Sequence, residues 1–161
     1  MDKEDLVTHF GYQKVPTSEK AGKVAEVFHS VAERYDIMND VMSLGTHRVM
    51  KKIAANATLA RAGHHILDLA GGTGDMAVLL SEYVGTEGRV YVCDINGSML
   101  SQGRDKLLNR GIVTNVSYVQ ADGEKLPFPD NSFNAITIAF GLRNFTEKES
   151  ALREMYKVCL L

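Results

Sequence analysis

The sequence predicts an α/β fold in which a parallel sheet carries helices on both faces. Three observations carry this. From Gly63 onward, short apolar segments alternate with stretches of helical spacing. Those apolar segments are continuous rather than alternating with polar residues, as strands covered on both faces are. A glycine-rich turn, Gly71-Gly72-Thr73-Gly74, joins the first of them to the helix that follows.

Taken in order, residues 1–16 read as a loose arm ending at Pro16. A helix capped by Thr17 or Ser18 follows, with the stripe Val24, Val27, Phe28, Val31, Ala32 and Tyr35 at spacings of three and four. Asp36 to Asp40 breaks it, Met42 to Gly45 is short and apolar, and a second helix is expected over about Thr46–Leu59. The first 62 residues are therefore expected to be mainly helical and to precede any strand. After them come a strand at His65–Ala70, a helix at Asp75–Tyr83 and a strand at Arg89–Asp94. A helix at Ser98–Arg110 is stopped by Gly111, and a strand follows at Val116–Gln120. Two prolines in Leu126-Pro127-Phe128-Pro129 require a loop. A fourth strand is expected over Phe133–Phe140. Thr146 and Glu149 read as a capping box for a last helix, which would bury Leu152, Met155, Tyr156 and Cys159.

Bulk properties narrow the classes. The chain of 161 residues suits one domain, and 45% hydrophobic with 24% charged residues is a globular balance. A net charge of −2 without a long run of one sign gives no sign of a nucleic-acid partner. No apolar stretch approaches the ~20 residues needed to span a bilayer. The acidic start, Met1-Asp2-Lys3-Glu4-Asp5, lacks a signal core, so a cytoplasmic setting is expected. Cys93 and Cys159, and the five histidines, show no metal-ligand spacing, so no metal is expected. Met76, Met99 and Met155 read as core, and His64 and His65 as surface groups.

Ligands of such sheets bind beyond the carboxyl ends of the strands, so the loops there carry the chemistry. Gly72-Thr73-Gly74-Asp75-Met76-Ala77 fits the dinucleotide pattern G-x-G-x-x-G/A, and Asp94 lies 20 residues after Gly74. NAD and S-adenosylmethionine both need glycines for close backbone approach and a carboxylate for ribose hydroxyls. Charge separates them. A pyrophosphate wants the bare positive end of a helix, whereas Asp68 and Asp75 flank this loop and suit a sulfonium and an ammonium group. Asp75 serving only as a cap, with Asp68 held by backbone donors, is the plainer alternative. Asp122, in Gln120-Ala121-Asp122-Gly123, stands where it could accept from an adenine amino group, although alone it would be a turn residue. Arg143 and Asn144 follow the fourth strand and could orient a ring oxygen of an acceptor, or serve only in an ion pair and a turn. Tyr35 and the segment to Asn39 could form a lid, or Tyr35 could simply end its apolar stripe.

Ile66-Leu67-Asp68-Leu69-Ala70-Gly71-Gly72-Thr73-Gly74-Asp75 resembles the first motif of S-adenosylmethionine methyltransferases. Further segments are more particular: Thr8-His9-Phe10-Gly11-Tyr12, Phe28 to Ala32, Tyr35 to Asp40, and Ile136 to Asn144. Together, from about Thr8 to Val158, they resemble the ubiquinone/menaquinone biosynthesis C-methyltransferases. The resemblance implies a Rossmann-like fold of sheet order 3-2-1-4-5-7-6, S-adenosylmethionine as methyl donor, and methylation of a ring carbon. The acceptors it implies are polyprenylated quinols, demethylmenaquinol and a methoxy-polyprenyl-benzoquinol. By motif position it places cofactor contacts on Thr73, Asp94, and Asp122 with Gly123, beside Asp68, Gly72 and Gly74. Ala139 stands where relatives have Ser, and Asp122-Gly123 where close relatives have Asn-Ala.

On this reading residues 1–62 form the lid and acceptor side, and 63–161 the cofactor-binding core. The relatives continue past this chain's Val158-Cys159-Leu160-Leu161 into three more strands. The expectation is a truncated core with its last strands missing and the fourth strand as an open edge, prone to self-association. Arg143, Asn144 and Tyr35 are the expected catalytic group. A quinol's tail leaves room for peripheral contact at the inner membrane face. Two other classes stay open, an NAD(P)-binding oxidoreductase and a truncated, non-catalytic cofactor-binding protein.

Overall fold

The computed structural model describes residues 7–10, 13–16 and 46–160. The expected helix from Thr17 or Ser18 to Tyr35, the break at Asp36–Asp40 and the Met42–Gly45 segment lie outside the described residues.

Two strands, β1 (Val7–Phe10) and β2 (Gln13–Pro16), pair antiparallel with Val7 opposite Pro16 and Phe10 opposite Gln13. This corrects the loose arm, and with it the expectation that no strand precedes Gly63. The β-branched Val7, Thr8 and Val15, with a glycine between them in the sequence, are a hairpin signal that the sequence carries and that the expected loose arm overlooked.

The remaining elements follow the expected alternation. They are α1 (Thr46–Ala57), β3 (His65–Leu69), α2 (Asp75–Val84), β4 (Arg89–Asp94), α3 (Gly97–Asn109), β5 (Val116–Gln120), β6 (Ala135–Thr137), a 3-10 turn (Leu142–Asn144) and α4 (Lys148–Val158). The four later strands form one parallel sheet of order β5-β4-β3-β6, the 3-2-1-4 part of the expected order. This is the Rossmann-like fold, with helices on both faces.

Alternation along the strands divides the core. Ile66, Val90 and Val92 face one layer, packed with Ala55 of α1, Met76, Ala77, Leu80 and Val84 of α2, and Leu100 and Leu107 of α3. Leu67, Leu69 and Cys93 face the other, with Leu126, Phe133 and Val158. Tyr91, Phe128 and Phe133 meet there edge-on, with ring centroids 4.9 to 6.0 Å apart.

Three expectations need correction. The fourth strand is not Phe133–Phe140 but the three residues of β6. Its partner β3 ends at Leu69, the residue in register with Ile138, and Ala70 turns away at φ 53°, so no strand remains for Ala139 onward to pair with. Phe133 instead makes a parallel bridge with Cys159, and the Leu160 N–H donates to the Phe133 carbonyl at 2.8 Å. The chain after α4 thus returns alongside the sheet. The capping box is also absent: Thr146 and Glu149 make no cap, and Glu124 Oε1 accepts from the N–H groups of Thr146 and Glu147 at 2.7 and 2.9 Å. Finally, α4 buries Ala151 and Val158, while Leu152 and Tyr156 are exposed.

Candidate functional site

The site is built at the carboxyl ends of the four parallel strands. Ala70 and Gly72 adopt left-handed backbone, at φ 53° each, and Gly74 follows at φ 76° as the residue capping α2. These turns carry the chain from β3 over the sheet edge into the helix. A side chain at Gly71 could not be accommodated: its Cβ would lie 2.7 Å from Asp68 Oδ2 and 2.8 Å from Val92 Cγ1. Gly103 of α3 lets that helix press on the same loop, since a Cβ there would sit 2.9 Å from the Thr73 carbonyl carbon. Sequence reasoning missed Gly103, because its partner is 30 positions away and no local pattern marks it.

These turns open a cavity of about 520 Å3. Asp68, Gly72, Thr73, Asp94, Asp122, Gly123, Arg143 and Asn144 all line it, so eight of the expected site residues meet in one place. Gly74 sits just behind them at the helix start, and Tyr35 lies outside the described residues. Phe140, at the start of the segment that carries Arg143 and Asn144, also lines it, as do His47 and Lys51 of α1 and Asn96, and these last three were not expected.

Asp94 closes the end of β4. Its Oδ2 accepts from the Gly72 N–H and its Oδ1 from the Asn96 N–H, both at 2.9 Å. Burial pushes its carboxyl up, and the backbone donors of Asn96, Gly72 and Ile95 counter that. Asn96 in turn caps α3, accepting from Ser98 and Met99.

Asp68 lies in β3 opposite Thr137 of β6, and the Thr137 hydroxyl donates to Oδ1 at 2.9 Å. Oδ2 is buried with no hydrogen-bond partner among the described residues. Burial raises this carboxyl to about 7, against the lowering effects of Thr137 and Lys51, with Asp94 and Asp75 adding to the rise. The same crowding of carboxylates acts on Cys93: burial first, then Asp94, Asp68 and Asp122, push its thiol to about 12.

Asp75 behaves otherwise. Lys51 donates to Oδ2 at 2.7 Å and Lys106 to Oδ1. Burial alone would raise it, but the two lysines hold it at about 2. Its charge is therefore spent on cations of the protein. Asp75 thus does not repel a pyrophosphate as a lone anion would, and of the two carboxyls flanking the loop Asp68 is the one that lacks a donor among the described residues.

Asp122 accepts from the Glu124 N–H at 2.9 Å, so the turn role and the cavity position hold together. Gly123 has a packing reason, because a Cβ there would lie 2.6 Å from Phe145. Arg143 is exposed on the 3-10 turn and Asn144 half-buried, and neither side chain is hydrogen-bonded or ion-paired among the described residues.

A glycine loop under a left-handed turn, a carboxylate at the end of the adjacent strand and a second carboxyl beneath the loop define the nucleotide-binding end of a Rossmann-like fold. The comparisons give the family. The model of the ubiE/COQ5 methyltransferase family matches residues 16–160, and the chain belongs to that family. It is 60% identical over 158 residues to the ubiquinone/menaquinone biosynthesis C-methyltransferase UbiE of Photorhabdus laumondii, covering 98% of this chain and 63% of that protein. It is 58% identical to the protein of the same name from Ectopseudomonas oleovorans, covering 98% of this chain and 92% of that one. A solved S-adenosylmethionine-dependent methyltransferase from Aquifex aeolicus superposes with a TM-score of 0.63 at 27% identity, over 68% of this chain and 58% of that one. The chain spans about three-fifths of the Photorhabdus protein's length.

Proposed function

We propose that this chain is an S-adenosylmethionine-dependent C-methyltransferase acting on the ring of a polyprenylated quinol. The observation that carries the reading is the cavity where Asp68, Gly72, Asp94 and Asp122 converge at the strand ends. Its size lies in the range of small-molecule sites. The names of the relatives support the acceptor class. The oxidoreductase alternative rests only on the glycine spacing, and no observation favours it.

In this reading Gly72 and Gly74 let the ligand approach the backbone, and Thr73 contacts it from the same loop. Asp94 receives the ribose hydroxyls, and Asp122 with Gly123 borders the adenine. Asp68 fits the cationic end, because its buried Oδ2 lacks a donor that an ammonium group, directly or through a water, would provide. S-adenosylmethionine, when bound, supplies an electrophilic methyl on a sulfonium. The protein's task is to hold the acceptor carbon in line and exclude water. Arg143 and Asn144 orient the acceptor's ring hydroxyl, and a base or a water held by them takes its proton. Tyr35, with residues 1–62, forms the lid and acceptor side over the core of residues 63–161. Among the described residues no helix is long and apolar enough to cross a membrane. The proposal has the protein, in the cytoplasm, meeting the quinol's tail by peripheral contact at the inner membrane face. Self-association along the outer side of β6 belongs to the same proposal.

Thermal unfolding with and without S-adenosylhomocysteine tests the cofactor site. At 100-fold excess over Kd, binding to the native state alone adds about 2.7 kcal/mol. That raises Tm by roughly 5 °C or more in a chain of this size. No shift would sink the reading, because the 161-residue chain would then lack a working site. Given a shift, Asn144→Ala should abolish methylation of demethylmenaquinol and leave the shift intact. Unchanged turnover would remove Asn144 from the mechanism.

A further inference from the structure

We propose that Phe140 is the platform on which the flat ring of the acceptor stacks at the mouth of the cavity. The chemistry of that ring rests on the quinol methyltransferase reading; the platform itself rests on geometry.

Phe140 follows β6 and adopts φ 65°, a left-handed conformation that a bulky side chain rarely takes. Such strain persists where the surrounding structure imposes it, and it clusters at ligand sites. Here the cause is visible. Gly141 packs against Ala70, itself left-handed, and a Cβ on Gly141 would collide with the Ala70 Cβ. The close approach of the β3 and β6 exits fixes the turn at position 140.

A core role does not explain a phenylalanine at this position. The core that holds Ile136 and Ile138 does not include Phe140, which keeps 45% of its surface exposed. Among the described residues its ring meets no other aromatic ring. Glycine or asparagine would take the same backbone at lower cost. What the position does offer is a wall of the cavity, beside Arg143 and Asn144. An exposed aromatic face beside polar groups suits a planar, oxygen-bearing ring.

The topology separates this end from the nucleotide end. In the order β5-β4-β3-β6, Asp94 ends β4 and Asp122 follows β5, whereas Phe140 follows β6 on the other side of β3. A ring stacked on Phe140 is therefore the acceptor's rather than adenine.

The chain has no tryptophan, so Phe140→Trp introduces a single indole. Quinones quench indole emission on contact. Titration with 2-methyl-1,4-naphthoquinone, which carries no prenyl tail, should quench this variant saturably. Leu152→Trp, on the exposed side of α4, should show only a linear, collisional response. Linear and equal quenching in both would overturn the proposal. Phe140→Leu guards against a misfolded tryptophan variant. It should keep the parent's thermal shift with S-adenosylhomocysteine and raise KM for the quinol about tenfold, with a smaller change in kcat. An unchanged KM would overturn the proposal, as would loss of the thermal shift, which would assign Phe140 to the cofactor. Failure of the methyltransferase reading shows separately, as no thermal shift in the parent, because the quenching needs no S-adenosyl ligand.

Discussion

Replacing Asp68 by asparagine should make stability less dependent on pH across a range where the parent loses it. The folded carboxyl sits at about 7 against an ordinary value of 3.8. Between those values the native state keeps a proton that the unfolded chain has released, so stability falls as pH rises from about 4 through about 7. About three pH units at about 1.4 kcal/mol each makes the loss about 4 kcal/mol at alkaline pH. Asparagine cannot ionise, so it removes that loss. It also has a cost: its oxygen can still accept from Thr137, but its amide replaces Oδ2, which has no partner among the described residues. An unsatisfied buried N–H costs roughly 1–3 kcal/mol. By pH 5 the parent has already lost roughly 1.5 kcal/mol, so Asp68→Asn should be at most about 1.5 kcal/mol less stable there, and more stable at pH 8.5 by roughly 1–3 kcal/mol. Urea unfolding at pH 5, 7 and 8.5 measures the difference. A difference of the same sign and size at all three pH values would refute the argument, since it would mean that Asp68 does not titrate in the folded state near neutrality.

Two further outcomes follow from the loop's supports. Gly103→Ala gains roughly 1 kcal/mol of helix propensity, but its Cβ would meet backbone at Thr73 and Gly72, at 2.9 and 3.1 Å. Backbone cannot swing aside as a side chain can, so the loop must shift by a few tenths of an ångström, at a cost of about 1–3 kcal/mol. The variant should be no more stable than the parent by urea unfolding and should bind S-adenosylhomocysteine more weakly by calorimetry; a stabler variant of full affinity would show that α3 does not brace the loop. Lys51→Met removes one of the two cations on Asp75, in a pair whose side chains keep 13% and 26% of their surface exposed. A loss of roughly 1–2 kcal/mol is expected at pH 7. Because Asp75 lies at about 2 in the fold, the parent should lose this contribution as pH falls from about 4 towards 2, and the two proteins should converge there. Parallel acid-unfolding curves would count against the pairing.

The parallel sheet was legible because its strands are buried on both faces, and Ile66 to Leu69, apolar except for Asp68, and Val90 to Cys93 state that directly in their apolar runs. Asp94 was legible for a similar reason, since the length of a strand–helix–strand unit fixes where a carboxylate must fall after a glycine loop. Where a residue's state depends on a distant partner, the pattern misled. The run from Phe133 to Phe140 looked like a full strand, but strand length belongs to the pair, and β3 turns away at Ala70. For α4 the apolar residues allow two stripes, and the sheet selects Ala151, Met155 and Val158 over Leu152 and Tyr156. The local Thr146–Glu149 signal lost to Glu124, which arrives from 22 positions away with a carboxylate already placed on the two free N–H groups. Asp75 is the sharpest case. Read locally, it is an anion beside the glycine loop that should attract a cationic ligand. Lys51 and Lys106 reach it from separations of 24 and 31 residues and neutralise it. Asp68, one strand end away, receives only a threonine hydroxyl and stays short of a donor. Spacing places both carboxyls at the site, but only the packing of α1 and α3 decides which of them is left for the ligand.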